Sequence, residues 1–132
     1  MNIHESAENY LEAILILKNE RGAVRSIDIA QHMRFSKPSV SVAMKNLREN
    51  GYILMDKDGF IALTEKGHEI AETIYERHTL LSSFLMYLGV SKETATQDAC
   101  RIEHVISPES FEALKQHVYS HKEIMDIKDV KI

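Results

Sequence analysis

Residues 26–63, SIDIAQHMRFSKPSVSVAMKNLRENGYILMDKDGFIAL, decide the fold. Ser26 stands as a helix N-cap ahead of Ile27, Ile29, Ala30 and Met33, whose spacing predicts a short helix. Arg34-Phe35-Ser36 follows as a turn. Ser36 caps a further helix with Pro38 in its first turn, where a missing N–H is harmless. Val40, Ala43, Met44 and Leu47 recur at helical spacing and face inward, and Asn50-Gly51 supplies a left-handed stop. Two apolar runs, residues 52–55 and 60–63, then flank Asp56-Lys57-Asp58-Gly59, a strong hairpin signal.

Outward from this stretch the pattern stays helical. Tyr10, Leu11, Ile14, Leu15 and Leu17 predict a helix over residues 4–20, ended by Arg21-Gly22. Downstream, Thr64-Glu65-Lys66-Gly67 opens a long helix to residue 88, broken by Gly89-Val90. Ser91 caps another helix to residue 107, and Ser107 with Pro108 starts a last one over residues 109–121. Residues 122–132 are charged and read as a loose end. Helix, helix, turn, helix and hairpin is the order of a winged helix-turn-helix, in which the second helix of the pair enters the major groove. The expected fold is mainly α: a winged helix-turn-helix DNA-binding domain over residues 1–66, then an all-helical domain over 67–132.

Charge supports that division. The chain of 132 residues has a net charge of −4, but its positive charge is concentrated. Residues 21–50 carry six basic groups, Arg21, Arg25, Arg34, Lys37, Lys45 and Arg48, against two acidic ones. The exposed start of the third helix offers small, hydroxylated or cationic groups that can approach bases and phosphates: Ser36, Lys37, Pro38, Ser39, Ser41 and Val42. Arg25, Lys45 and Lys57 are candidates for phosphate. No Arg, Asn or Gln stands among the first exposed positions, so shape and methyl contacts are expected to carry much of the specificity. A single cysteine excludes an internal disulfide and fits a reducing cytoplasm. No apolar run is long enough for a membrane helix, and no signal-peptide pattern opens the chain.

In the second half, Cys100-Arg101-Ile102-Glu103-His104 places a thiol, a carboxylate and an imidazole at i, i+3 and i+4. On a helix these share one face, and all three are transition-metal ligands. Each residue taken singly has a blander reading, Cys100 as a small buried apolar side chain and Glu12 or His78 as ordinary helix positions.

The segments Glu8-Asn9-Tyr10-Leu11-Glu12, Arg77-His78-Thr79-Leu80-Leu81 and residues 98–107, in this order of elements, resemble the diphtheria toxin repressor and manganese transport regulator family. The resemblance covers nearly the whole chain and is to the short, two-domain type. It implies a metal-activated transcriptional regulator, a repressor, of manganese or iron homeostasis, acting without catalysis. It carries ligand roles onto Cys100, Glu103, His104, His78 and Glu12, and onto Asn9, where the family has Asp or Met and an amide oxygen takes the place. Ser82 and Thr96 replace the accessory-site ligands of iron-type members, so that site is not expected in its iron-type form. The expected ion is Mn²⁺ or Fe²⁺, one or two per chain, because the thiolate favours softer ions and the oxygens favour Mn²⁺. Leu80, Leu81, Phe84, Leu85, Leu88, Ala95, Ala99, Ile102, Val105, Phe111, Leu114 and Val118 exceed what this half can bury against itself. A homodimer on a palindromic operator of double-stranded DNA is expected.

Two other readings compete. A metal-independent winged-helix regulator sensing another ligand would bind DNA unchanged after Ala substitution of Glu103 and His104. A metallohydrolase would use three protein ligands plus water, but no dedicated general base stands out, so no catalytic residue is assigned.

Overall fold

The computed structural model describes residues 5–121. Among them the elements run α1 (Glu5–Arg21), α2 (Ser26–Met33), α3 (Lys37–Glu49), β1 (Ile53–Met55), β2 (Ile61–Leu63), α4 (Glu65–Tyr87), α5 (Lys92–Ile102) and α6 (Pro108–Ser120). The expected mainly helical fold with a hairpin wing is observed. The loose end expected at 122–132 lies outside the described residues. The chain divides into two compact units, up to Thr73 and from Ile74 onward.

The first unit is built on α1, α2, α3 and the hairpin. Leu11, Ile14, Leu17, Val24, Ile29, Val40, Met44, Ile53 and Ile61 form its core, joined by Ala71 near the start of α4. The hairpin pairs antiparallel with Ile53 opposite Leu63 and Met55 opposite Ile61. Asp56 organises its turn by accepting from the backbone N–H groups of Asp58 and Phe60, both at 2.9 Å. Ile61 N–H donates to the Val24 carbonyl at 2.8 Å, which ties the wing to the segment before α2. Thr64 Oγ1 accepts from Gly67 N–H at 3.1 Å and so caps α4. Gly67 is needed for another reason: a Cβ there would overlap the Tyr52 carbonyl oxygen.

Two details of the first unit differ from expectation. Arg25, not Ser26, is the N-cap of α2, because the Asp28 carboxylate at the third helical position accepts from Arg25 N–H at 2.9 Å. Ile27, one of the apolar residues whose spacing predicts this helix, is 37% exposed, since α2 is only two turns long and buries Ile29 and Ala30 instead. The caps at Ser36, Ser91 and Ser107 form as expected, each hydroxyl accepting from the N–H three residues on.

In the second unit, Leu80, Phe111 and Val118 make a core with Phe84, Ile106, Leu114 and Tyr119. The fifth helix ends at Ile102 rather than at residue 107. Pro108 is the first residue of α6 and forces its predecessor, Ser107, into extended backbone (φ −70°, ψ 155°). The chain therefore needs a turn over residues 103–106, closed by Val105 and Ile106 N–H groups on the Ile102 carbonyl. Of the apolar residues expected to be in surplus, Leu80, Leu81, Ala95, Ala99, Phe111 and Val118 are buried in the chain itself. Leu88 (60%) and Val105 (79%) are exposed.

Candidate functional site

The second unit gathers the ligand types. Cys100 lies in the last turn of α5, Glu103 is its C-cap, and His104 follows in the turn. The sequence spacing expects all three on one helix. The structure puts only Cys100 on it, yet Glu103 keeps right-handed helical backbone (φ −58°, ψ −25°) and its N–H still bonds to the Ala99 carbonyl. The i, i+3 relation thus survives the end of the helix. One donor atom each of Cys100, Glu103 and His104 lies within 4.8 Å of the others.

Glu103 is fully buried, with 0% exposure. Its Oε2 is 2.9 Å from His78 Nδ1, on α4, and its Oε1 is 3.4 Å from His104 Nε2. A buried carboxylate is stable only with compensating positive charge or strong hydrogen bonds. Cys100, Glu103 and His104 make a mixed S, O and N donor set of the kind that holds a divalent transition ion, and His78 adds an imidazole against the other carboxylate oxygen of Glu103, so the residues fit a metal. Ser82, also buried, donates its hydroxyl to the His78 carbonyl at 2.7 Å and so stays on its own helix. Asn9 and Glu12 belong to the first unit, one turn apart on α1. Among the remaining described histidines, His68 pairs with Glu72 at 3.5 Å, and His117 and His121 stack on each other at 4.4 Å between ring centroids.

The first unit presents α3. Ser36, Lys37, Pro38, Ser39, Ser41, Val42 and Lys45 are all exposed, as are Arg25 and Lys57. They differ in what they have left to offer. Ser36 accepts from Ser39 N–H at 3.3 Å and donates to Ser39 Oγ at 2.8 Å, so it is chiefly a cap, whereas Ser39 keeps its own O–H for another acceptor. Arg25 is steadied by the Phe60 ring, 4.2 Å below its guanidinium, which links the start of α2 to the wing. Arg21 bonds Asp28 at 3.2 Å, and Arg48 turns toward Met55 Sδ at 3.8 Å. An open cleft of about 220 Å³ lies between Ser26 and Ile27 on α2 and Lys37 and Ser41 on α3. Ser26 and Ile27 were not expected at this face; only the outward turn of Ile27 reveals them.

Known proteins match both halves. Residues 2–61 match the N-terminal DNA binding domain of the iron dependent repressors, and residues 64–124 match their metal binding and dimerisation domain. The transcriptional regulator MntR of Escherichia coli is 35% identical over 117 residues, which is 89% of this chain and 76% of that one. The HTH-type transcriptional regulator MntR of Geobacillus kaustophilus is 37% identical over 102 residues, 77% of this chain and 72% of that one. Among solved structures, the manganese regulator SloR superposes with a TM-score of 0.76 at 30% identity over 90% of this chain. ScaR with bound Zn²⁺ superposes with a TM-score of 0.70 at 30% identity over 86%. This chain spans 55% and 53% of those two structures' lengths. The chain belongs to the iron dependent repressor family, whose members are metal-dependent, DNA-binding transcriptional regulators and not enzymes.

Proposed function

We propose that this protein is a cytoplasmic homodimeric repressor that binds a palindromic operator when His78, Cys100, Glu103 and His104 hold Mn²⁺ or Fe²⁺. Asn9 and Glu12 join the ligand set on the strength of the family resemblance. The observation that carries the reading is Glu103, fully buried and approached by imidazoles at 2.9 and 3.4 Å. A bound divalent cation supplies the positive charge that such a carboxylate lacks, and it favours the thiolate over the thiol. Glu103 bridges two elements, accepting from the His78 ring of α4 while it closes α5. Cys100 and His104 flank it. Ser39, Ser41 and Val42 meet base edges, while Lys37, Lys45, Arg25 and Lys57 neutralise phosphates. Metal and DNA then strengthen each other's binding, as linkage requires. The solved structure of SloR is described as a manganese regulator, the matching family is described as iron dependent, and the thiol of Cys100 favours a softer ion, so Fe²⁺ stands beside Mn²⁺. No described helix is long and apolar enough to cross a membrane.

The test is fluorescence anisotropy with a duplex selected on the protein from a random library in excess Mn²⁺. Mn²⁺ or anaerobic Fe²⁺ should tighten binding about tenfold or more, a coupling of ordinary allosteric size. Glu103→Gln should abolish that gain. Equal affinity with and without chelator would sink the reading in favour of a metal-independent regulator.

A further inference from the structure

Arg77 precedes His78 on α4, and the sequence gives it no role of its own. Its Nη1 donates to the carbonyl oxygens of Glu103 and Ile106, each at 3.1 Å. Its guanidinium also stands 5.5 Å from the centroid of the Phe111 ring on α6. Both carbonyls belong to the turn that replaces the end of α5. Because that helix stops at Ile102, no further helical turn exists to bond them. One guanidinium nitrogen does so instead, and the aromatic face keeps the planar group in place. The Nε–H of the same group is buried with no hydrogen-bond partner among the described residues. The side chain thus forgoes one of its own bonds in the position that serves the turn.

Cys100 lies within its helix, whereas Glu103 closes that helix as its C-cap and His104 lies beyond its end. We infer that Arg77 is a positioning residue of the metal centre: by clasping the carbonyls of Glu103 and Ile106 it holds the 103–106 turn in the form that presents the Glu103 carboxylate and the His104 ring. The role rests on the metal reading proposed above. It predicts that a residue touching no ion governs how tightly the ion is held, as the outer partners of metal ligands commonly do.

The experiment uses the full chain with Arg77→Met, which keeps length but no donor, and Arg77→Lys, which keeps one donating group. Mn²⁺ affinity is measured by titration calorimetry, and the Co²⁺-loaded protein is read by its visible and thiolate-to-metal absorption bands. Arg77→Met should weaken Mn²⁺ binding by about 10- to 100-fold, the range for outer-shell losses, and shift the Co²⁺ spectrum, with Arg77→Lys in between. A role confined to stability would lower the melting temperature and leave the Co²⁺ spectrum of the loaded protein unchanged; that result overturns the inference. So does Mn²⁺ affinity within about twofold of the parent chain, well short of the outer-shell range. Should Arg77→Met fail to fold, Arg77→Lys decides by the same two readouts. Cys100→Ser, run alongside, must lose the thiolate band. A parent chain that binds no Mn²⁺, or a Cys100→Ser spectrum identical to it, defeats the metal reading and this role with it.

Discussion

At the scale of single residues, Val42 is an exposed apolar side chain at the face proposed to meet DNA. It is 61% exposed on α3, with Pro38 and Ser39 one turn before it and Lys45 one turn after. A β-branched hydrocarbon in that position has one natural counterpart on the edge of a base pair, the thymine methyl group. Replacing thymine by deoxyuridine throughout a selected duplex should weaken binding by about 1 kcal/mol for each methyl lost from contact with Val42. Val42→Ala should erase the difference between the two duplexes. Superimposable anisotropy curves for the parent protein on both would refute the contact. Val42 was legible in the sequence as an outward position, because helical phase is set by neighbours three and four residues away. The outward turn of Ile27 was not legible, since its phase matched a buried position and only the packing of α2 exposed it.

At the scale of elements, the joints matter more than the helices. α2 ends in Arg34 at φ 59°, a left-handed residue whose N–H, like that of Phe35, returns to the Ala30 carbonyl. No glycine advertises this stop, which is why composition identified a turn but not its geometry. Gly67 is different, being helical with its Cα pressed on the Tyr52 backbone. Gly67→Ala should destabilise the first unit by about 3 kcal/mol, the upper part of the range for overpacking, measured by urea unfolding. An unchanged midpoint would mean that α4 can shift away from β1 freely. In the second unit, Lys115 on α6 donates to Glu76 on α4 at 3.2 Å, and that hydrogen bond holds its ammonium above the usual value of 10.5. A raised lysine value in the folded state stabilises below the ordinary value and loses that contribution as pH climbs through the raised one. Thermal stability should therefore fall more steeply above about pH 10.5 in the parent than in Lys115→Met. Burial pushes the Tyr119 phenol in the same direction, so the comparison is made in a Tyr119→Phe background.

At the scale of the molecule, the family's dimerisation domain needs an outer surface, and the second unit's own core has already used much of its apolar content. What remains outside includes Met86, Tyr87, Leu88 and Val105. Leu88 and Val105 are the best candidates for contact with a second copy, because water-exposed large aliphatics at 60% and 79% are otherwise unfavourable. Sedimentation should give a dimer of about 30 kDa from the 15.1 kDa chain. Leu88→Asp or Val105→Asp should shift it toward monomer and weaken operator binding together, since two half-sites are then read separately. Dimers of unchanged stability in both variants would place the interface elsewhere.

The order and kind of the elements, the hairpin, three of the serine caps and the chemical types of the candidate ligands were determined by the sequence alone. Each depends on residues within about four positions of one another, where helical period and capping act. Tertiary structure decided that Glu103 is wholly buried against His78 and that Arg77 serves the turn beside it. Those outcomes join residues 25, 26 and 29 positions apart, and no local pattern encodes a hydrogen bond across such a separation.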